Sequence, residues 1–156
     1  MLHPSSSLSS IEYSIKQYFI DNIENKITGA GIPVSFDATA ITIAGIKSWI
    51  LLSIDDTGIK KSALSRIILT LFLYSRKDAE GFELSKLRDT VYSILTGEHE
   101  TIKTAAGMIP LFDISSKTKE GALTIMVDQI SEGKKLSTSD GSNYKIMTIP
   151  IKMASK

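Results

Sequence analysis

The sequence predicts an α+β domain, a mainly antiparallel β-sheet packed by two amphipathic helices in the order helix-strand-strand-helix-strand-strand-strand. Three observations predict it. An apolar stripe at helical spacing runs from Ile11 to Ile27. In the run Ile67 to Tyr74, only Thr70 is neither apolar nor aromatic, which marks a strand covered on both faces. Asp140-Gly141, near the end of the chain, is the strongest short hairpin signal it contains.

The elements follow in order. Residues 1–7 are serine-rich and read as a frayed start. Ser9 and Glu12 have the spacing of a capping box. Leu8, Ile11, Ile15, Tyr18, Phe19, Ile23 and Ile27 then form one apolar stripe, with Glu12 and Lys16 opposite. Gly29 and Gly31 end this helix and Pro33 prevents its return. The stretch from Ile41 to Ile54 reads as one bent strand or two short ones, with Gly45 at the bend. Ile46, Ile50, Leu52 and Ile54 share one face, and Lys47, Trp49 and Ser53 the other. A polar connector leads to the central strand Ile67–Tyr74. The second helix spans Glu80 to Thr96, with Leu84, Leu87, Val91, Ile94 and Leu95 on one face and Gly97 as its C-terminal cap. Strands follow at "MIPLFDI", "GALTIMVDQI" and "YKIMTIPIKM". Pro150 lies in the last, which argues for an edge position because proline cannot donate to the ladder.

The 156 residues fit a single domain over 1–156 that can bury ~70% of its unfolded surface. No cysteine is present, which excludes thiol catalysis, disulfides and sulfur-ligated zinc. The charge of +1 is far below that of a general nucleic-acid binder. The N-terminus has neither a basic start nor an apolar core of the signal-peptide kind, and no run approaches the ~18 apolar residues of a membrane span.

Residues suited to catalysis are sparse, and no enzyme or cofactor is expected. His3 and His99 lack a serine, carboxylate or metal-ligand partner at a recognisable spacing and read as loop residues. Asp55-Asp56-Thr57-Gly58 reads as a turn, since a calcium loop needs more oxygens at set spacings. Gly29 and Gly31 follow a helix, whereas a phosphate-binding loop follows a strand. Lys60-Lys61 and Lys134-Lys135 are either solvated surface or, repeated around a ring, the lining of a positive channel. Trp49, the sole tryptophan, is either core or an interface anchor.

The order from Ile11 to Met153 resembles phage tail terminator proteins, which cap the tail tube of long-tailed bacteriophages. Three pieces carry the likeness: the opening helix Ile11–Ile27, the unit "LTLFLYSRKDAEGFELSKLRDTVYSILTG", and the closing "LTIMVDQISEGKKLSTSDGSNYKIMTIPIKM" with its bend at Glu132-Gly133. The resemblance implies a non-catalytic virion protein at the head-proximal end of the tail, assembled in the host cytoplasm. It implies a ring, typically six-fold, that ends tube polymerisation and meets the head connector while DNA passes through. The expected partners are copies of itself, the tail tube protein, the head connector and, transiently, DNA in the lumen; no membrane is involved. A closed ring needs two different complementary patches per subunit. The last strand, "YKIMTIPIKM" from Tyr144 to Met153 with Pro150 within it, is the expected pairing edge. The connector Asp55–Ser65 and the loop Ser131–Asn143 are the expected contacts with tube or connector. A tail-tube or head–tail joining subunit is the nearest rival. A cytoplasmic ligand- or peptide-binding module is a rival of another class, and an enzyme using Asp55, Asp56 or Asp128 a third.

Overall fold

The computed structural model describes residues 8–24, 32–36, 47–55, 64–78, 80–139 and 141–154. Helix α1, Leu8–Phe19, runs into a π-helical turn, Ile20–Glu24. Short strand β1, Val34–Ser35, precedes β2, Ser48–Asp55, and β3, Leu64–Ser75. Helix α2 is Phe82–Thr96. Then come β4, Met108–Phe112, β5, Lys119–Ile125, the two-residue strands β6, Ser131–Glu132, and β7, Leu136–Ser137, and the long β8, Asn143–Ala154. One sheet results, ordered β1-β2-β3-β8-β5-β4, with β6 and β7 also paired to β8. Only β1–β2 is parallel. The expected α+β architecture is therefore present, with three additional short strands. Residues 1–7, 25–31 with Ile27, Gly29 and Gly31, 37–46 and 56–63 with Lys60 and Lys61 lie outside the described residues.

The spine is β3 against β8, paired antiparallel along all 12 residues of each. Ile67, Leu69, Leu71 and Leu73 on β3 and Met147, Ile149 and Ile151 on β8 point to one face and are fully buried. Both helices close over that face. Ile11, Ile15, Tyr18, Phe19 and Ile23 from the first and Leu84, Leu87, Val91, Ile94 and Leu95 from the second join the same core. The two predicted stripes are thus core-facing from Ile11 to Ile23 and from Leu84 to Leu95, whereas Leu8 is exposed. Gly97 ends α2 as expected, with φ 74° and the paired bonds of a Schellman motif: its N–H to the Ile94 carbonyl and the Glu98 N–H to that of Ser93.

Two expectations are corrected. α1 begins at Leu8, so Ser9 lies inside the helix rather than before its first residue. Pro150 is buried in an internal strand, not at an edge. Its carbonyl accepts from Met126 N–H at 2.9 Å, so its nitrogen also faces away from β3. On that side the partner chain leaves the ladder between β5 and β6 and makes a 3₁₀ turn at Val127–Gln129. The missing N–H therefore falls where no strand asks for it.

The edges of the order are β1 and β4, and β4 is the one beside α1. Its outward N–H groups recur every second residue, and α1 meets them. Ser14 Oγ accepts from Phe112 N–H at 2.8 Å, and Ser10 Oγ accepts from Ile114 N–H at 3.1 Å. Pro110, next in that series, has no N–H to leave unpaired. The two serines lie four apart on one helix face, and both are buried.

Candidate interaction surface

The sheet's second face is the one turned from the helices. Register sets its side chains in rows across β2, β3 and β8. Trp49, Tyr74 and Tyr144 form one row, followed by Leu51, Phe72 and Ile146, then Ser53, Thr70 and Thr148, then Asp55, Ile68 and Pro150. Ile68, Phe72 and Ile146 are half-buried, yet none packs against the core. Among the described residues, no helix lies on this face. β3 is central as expected, but only one of its faces belongs to the core.

The first row is a stack. Trp49 and Tyr74 lie 4.9 Å apart with planes 4° from parallel, and Tyr74 and Tyr144 lie 5.3 Å apart at 22°. The Arg76 guanidinium lies over the Trp49 ring, 4.9 Å from its centre. Trp49 is buried, at 8% exposed, yet lies outside the main cluster that the helices cover. Burial, and then the neighbouring Tyr144, push the Tyr74 phenol up, so it stays protonated at neutral pH. The faces of Trp49 and Tyr74 are engaged with each other.

At one end of the sheet, the 131–143 segment is tied to the start of α2. Asp78 caps that helix from upstream: its carboxylate accepts from Leu84 N–H at 2.9 Å and Glu83 N–H at 3.3 Å. Burial pushes this carboxyl up, but the bonds from the Leu84 and Glu83 N–H groups outweigh it and hold the pKa below the usual value. The Asp78 carbonyl accepts from the Asn143 side chain, and the Gly81 carbonyl from Lys135 Nζ at 3.1 Å. Arg88 on α2 grips Glu132 with two bonds, 2.7 and 2.6 Å, and Lys145 stands 3.4 Å from the same carboxylate. The Arg88 bond, with burial opposing, holds Glu132 below the ordinary range. A cleft of about 280 Å³ opens here, but its own residues pair its charges. Of the predicted lysine pair, Lys134 is exposed and Lys135 is anchored to the helix start.

The remaining candidates scatter. His99 Nδ1 accepts from the N–H groups of Thr101 and Ile102, a loop-shaping role. Asp55 ends β2, and Asp128 lies exposed in the 3₁₀ turn. No group of three or more metal-ligating side chains occurs among the described residues.

A further cleft, of about 290 Å³, lies where α1 meets β4 and β5. Met108, Pro110, Ala105 and Ala122 give it apolar walls, and Lys103 and Lys119 stand at it. Sequence reasoning missed this place, because its residues come from separate segments.

No protein-family model and no curated protein matches the chain. Among solved structures, a protein known only by a sequence identifier is similar over 94% of this chain and 95% of its own, with a TM-score of 0.63 and 10% identity. At that identity the likeness concerns the fold: two helices on a curled, mostly antiparallel sheet. Among the described residues, no helix is long and apolar enough to cross a membrane.

Proposed function

We propose that this protein is a structural subunit of the tail-terminator type. It forms a ring on the end of a phage tail tube, stops tube growth, and presents a surface to the head connector while DNA passes through the centre. The observation that carries this reading is the sheet face opposite the helices, with its aromatic and apolar rows outside the core. A half-apolar face rimmed by polar side chains suits a protein partner. The clustered charges support the same reading. Asp78, Arg88 and Glu132 serve helix capping and ion pairing between elements, which makes a rigid body with its function on its surfaces.

The test is the absolute mass of the purified chain by light scattering across concentration and salt, with imaging of large species. Closed rings, formed alone or on tube protein, are expected. Open filaments of this chain alone would reassign it as a tube subunit. A monomer or dimer indifferent to tube protein would refute the reading.

A further inference from the structure

A closing ring needs two unlike patches per subunit, one to give and one to receive. The exposed apolar side chains supply both. Phe82, at 63% the most exposed of the large ones among the described residues, stands at the first residue of α2. Glu80 and Glu83 flank it. Glu80 is exposed, and Glu83 makes only a solvent-side contact with Lys86 at 3.4 Å. Met108, 44% exposed, lines the cleft between α1, β4 and β5, beside Lys103 and Lys119.

The two places lie at opposite ends of one helix. The segment that walls the cleft docks on the last turn of α2, where Thr104 Oγ1 donates to the Ile94 carbonyl and Gly107 N–H to that of Leu95. From Phe82 to Ile94 the helix rises about 18 Å. Size and charge also agree. At about 290 Å³ the cleft falls just under the range of small-molecule sites, and it is apolar-walled with cations at hand. The projection is a single aromatic ring flanked by carboxylates. Lys135, bound to the Gly81 carbonyl, leaves Glu80 uncommitted. Lys103 spends one donor on the His99 carbonyl at 3.0 Å and has others to offer.

We propose that a second copy of this chain fills the cleft: Phe82 of one subunit inserts beside Met108 of the next, with Glu80 and Glu83 facing Lys119 and Lys103. This contact rests on the ring reading and names the subunit interface within it. It repeats head to tail and buries together the two large apolar side chains most exposed among the described residues. Phe82 is the anchor, and the surrounding surface supplies the remaining area of a stable interface.

The test uses two full-length variants, each checked for native fold by circular dichroism. One combines Glu80→Lys with Phe82→Ala and removes the projection. The other combines Lys103→Glu with Lys119→Glu and spoils the cleft. Under the conditions in which wild-type chain assembles, alone or on tube protein, sedimentation is expected to find each variant at least tenfold weaker in self-association. An equal mixture is expected to form pairs and stop, since one intact projection meets one intact cleft. Wild-type assembly by either variant alone, or a mixture that stays monomeric, overturns this contact and leaves the ring reading standing. A wild-type chain that never assembles overturns both.

Discussion

The aromatic row makes a prediction whose size follows from its geometry. Tyr74 is stacked on both sides, against Trp49 at 4.9 Å and Tyr144 at 5.3 Å, whereas Tyr144 has one ring neighbour. An aromatic pair contributes about 0.5–1.5 kcal/mol beyond the area it buries. Replacement by leucine removes the ring but keeps an apolar side chain on the strand. Tyr74→Leu therefore costs about 2 kcal/mol and Tyr144→Leu about 1 kcal/mol. For a chain of this length each kcal/mol lowers the Tm by about 2–4 °C, so the expected drops are about 4–8 °C and about 2–4 °C. Thermal unfolding by circular dichroism measures both. Fluorescence of Trp49, the only tryptophan, reports the stack directly. The double variant should cost less than the two singles together, because they share one pair. Equal drops for the two single variants would refute the stacking argument, since they would show that the second ring contact of Tyr74 has no energetic weight.

Three further outcomes follow from buried polar groups. Asp78→Ala removes the acceptor for two N–H groups at the start of α2 and should cost about 2 kcal/mol in urea unfolding at pH 7. Because the Asp78 pKa is lowered by folding, its contribution is present above the unfolded value near 4 and lost as pH falls through the folded one; the variant should lack that part of the acid slope. Tyr18 is pushed up to about 12 by burial, with a bond to Thr104 opposing. Its contribution is complete below pH 10 and lost as pH rises towards 12, so Tyr18→Phe should flatten stability across that alkaline window. Ser14→Ala leaves Phe112 N–H without its acceptor at the β4 edge and should cost about 1–3 kcal/mol, read as a lower urea midpoint with an unchanged slope.

What the sequence revealed was what depends on local spacing. The buried residues of both helices were legible because burial repeats with the helical turn, from Ile11 to Ile23 and from Leu84 to Leu95. Gly97 was legible because the left-handed cap is a local property. The hairpin at Asp140-Gly141 was legible in place but not in length: the connection runs from Thr138 to Ser142, with Gly141 at φ 87°. Pro150 was misread because the rule for proline concerns a partner strand, and the gap beside it is made by the turn at Val127–Gln129. The aromatic row was invisible for the same reason. Trp49, Tyr74 and Tyr144 are far apart in the chain and meet only through the register of three strands. The buried pair Ser10 and Ser14 did leave a sign, two hydroxyls four apart flanking the stripe residues Ile11 and Ile15. Their partners on β4 could not be read from it.

The sealed edge of β4 bears on how subunits can join. An open edge strand invites a neighbour to extend the sheet through backbone hydrogen bonds. Here Ser14 and Pro110 account for two outward positions of β4, Met108 N–H turns back to the Ala105 carbonyl, Ser10 takes the Ile114 N–H just beyond the strand, and β8, the strand expected to pair between subunits, is interior. Sheet extension at β4 would first require α1 to leave, which would open the core around Ile11, Ile15 and Phe19. That cost is far larger than a few edge hydrogen bonds can offset, since each contributes only about 0.5–1.5 kcal/mol net. Joining at this flank therefore has to proceed through side chains. Contacts of that kind, with lysines facing glutamates, weaken as salt screens them, whereas backbone ladder bonds are far less sensitive. A steep loss of assembly between low and high salt would thus separate side-chain docking from strand exchange even before any residue is changed.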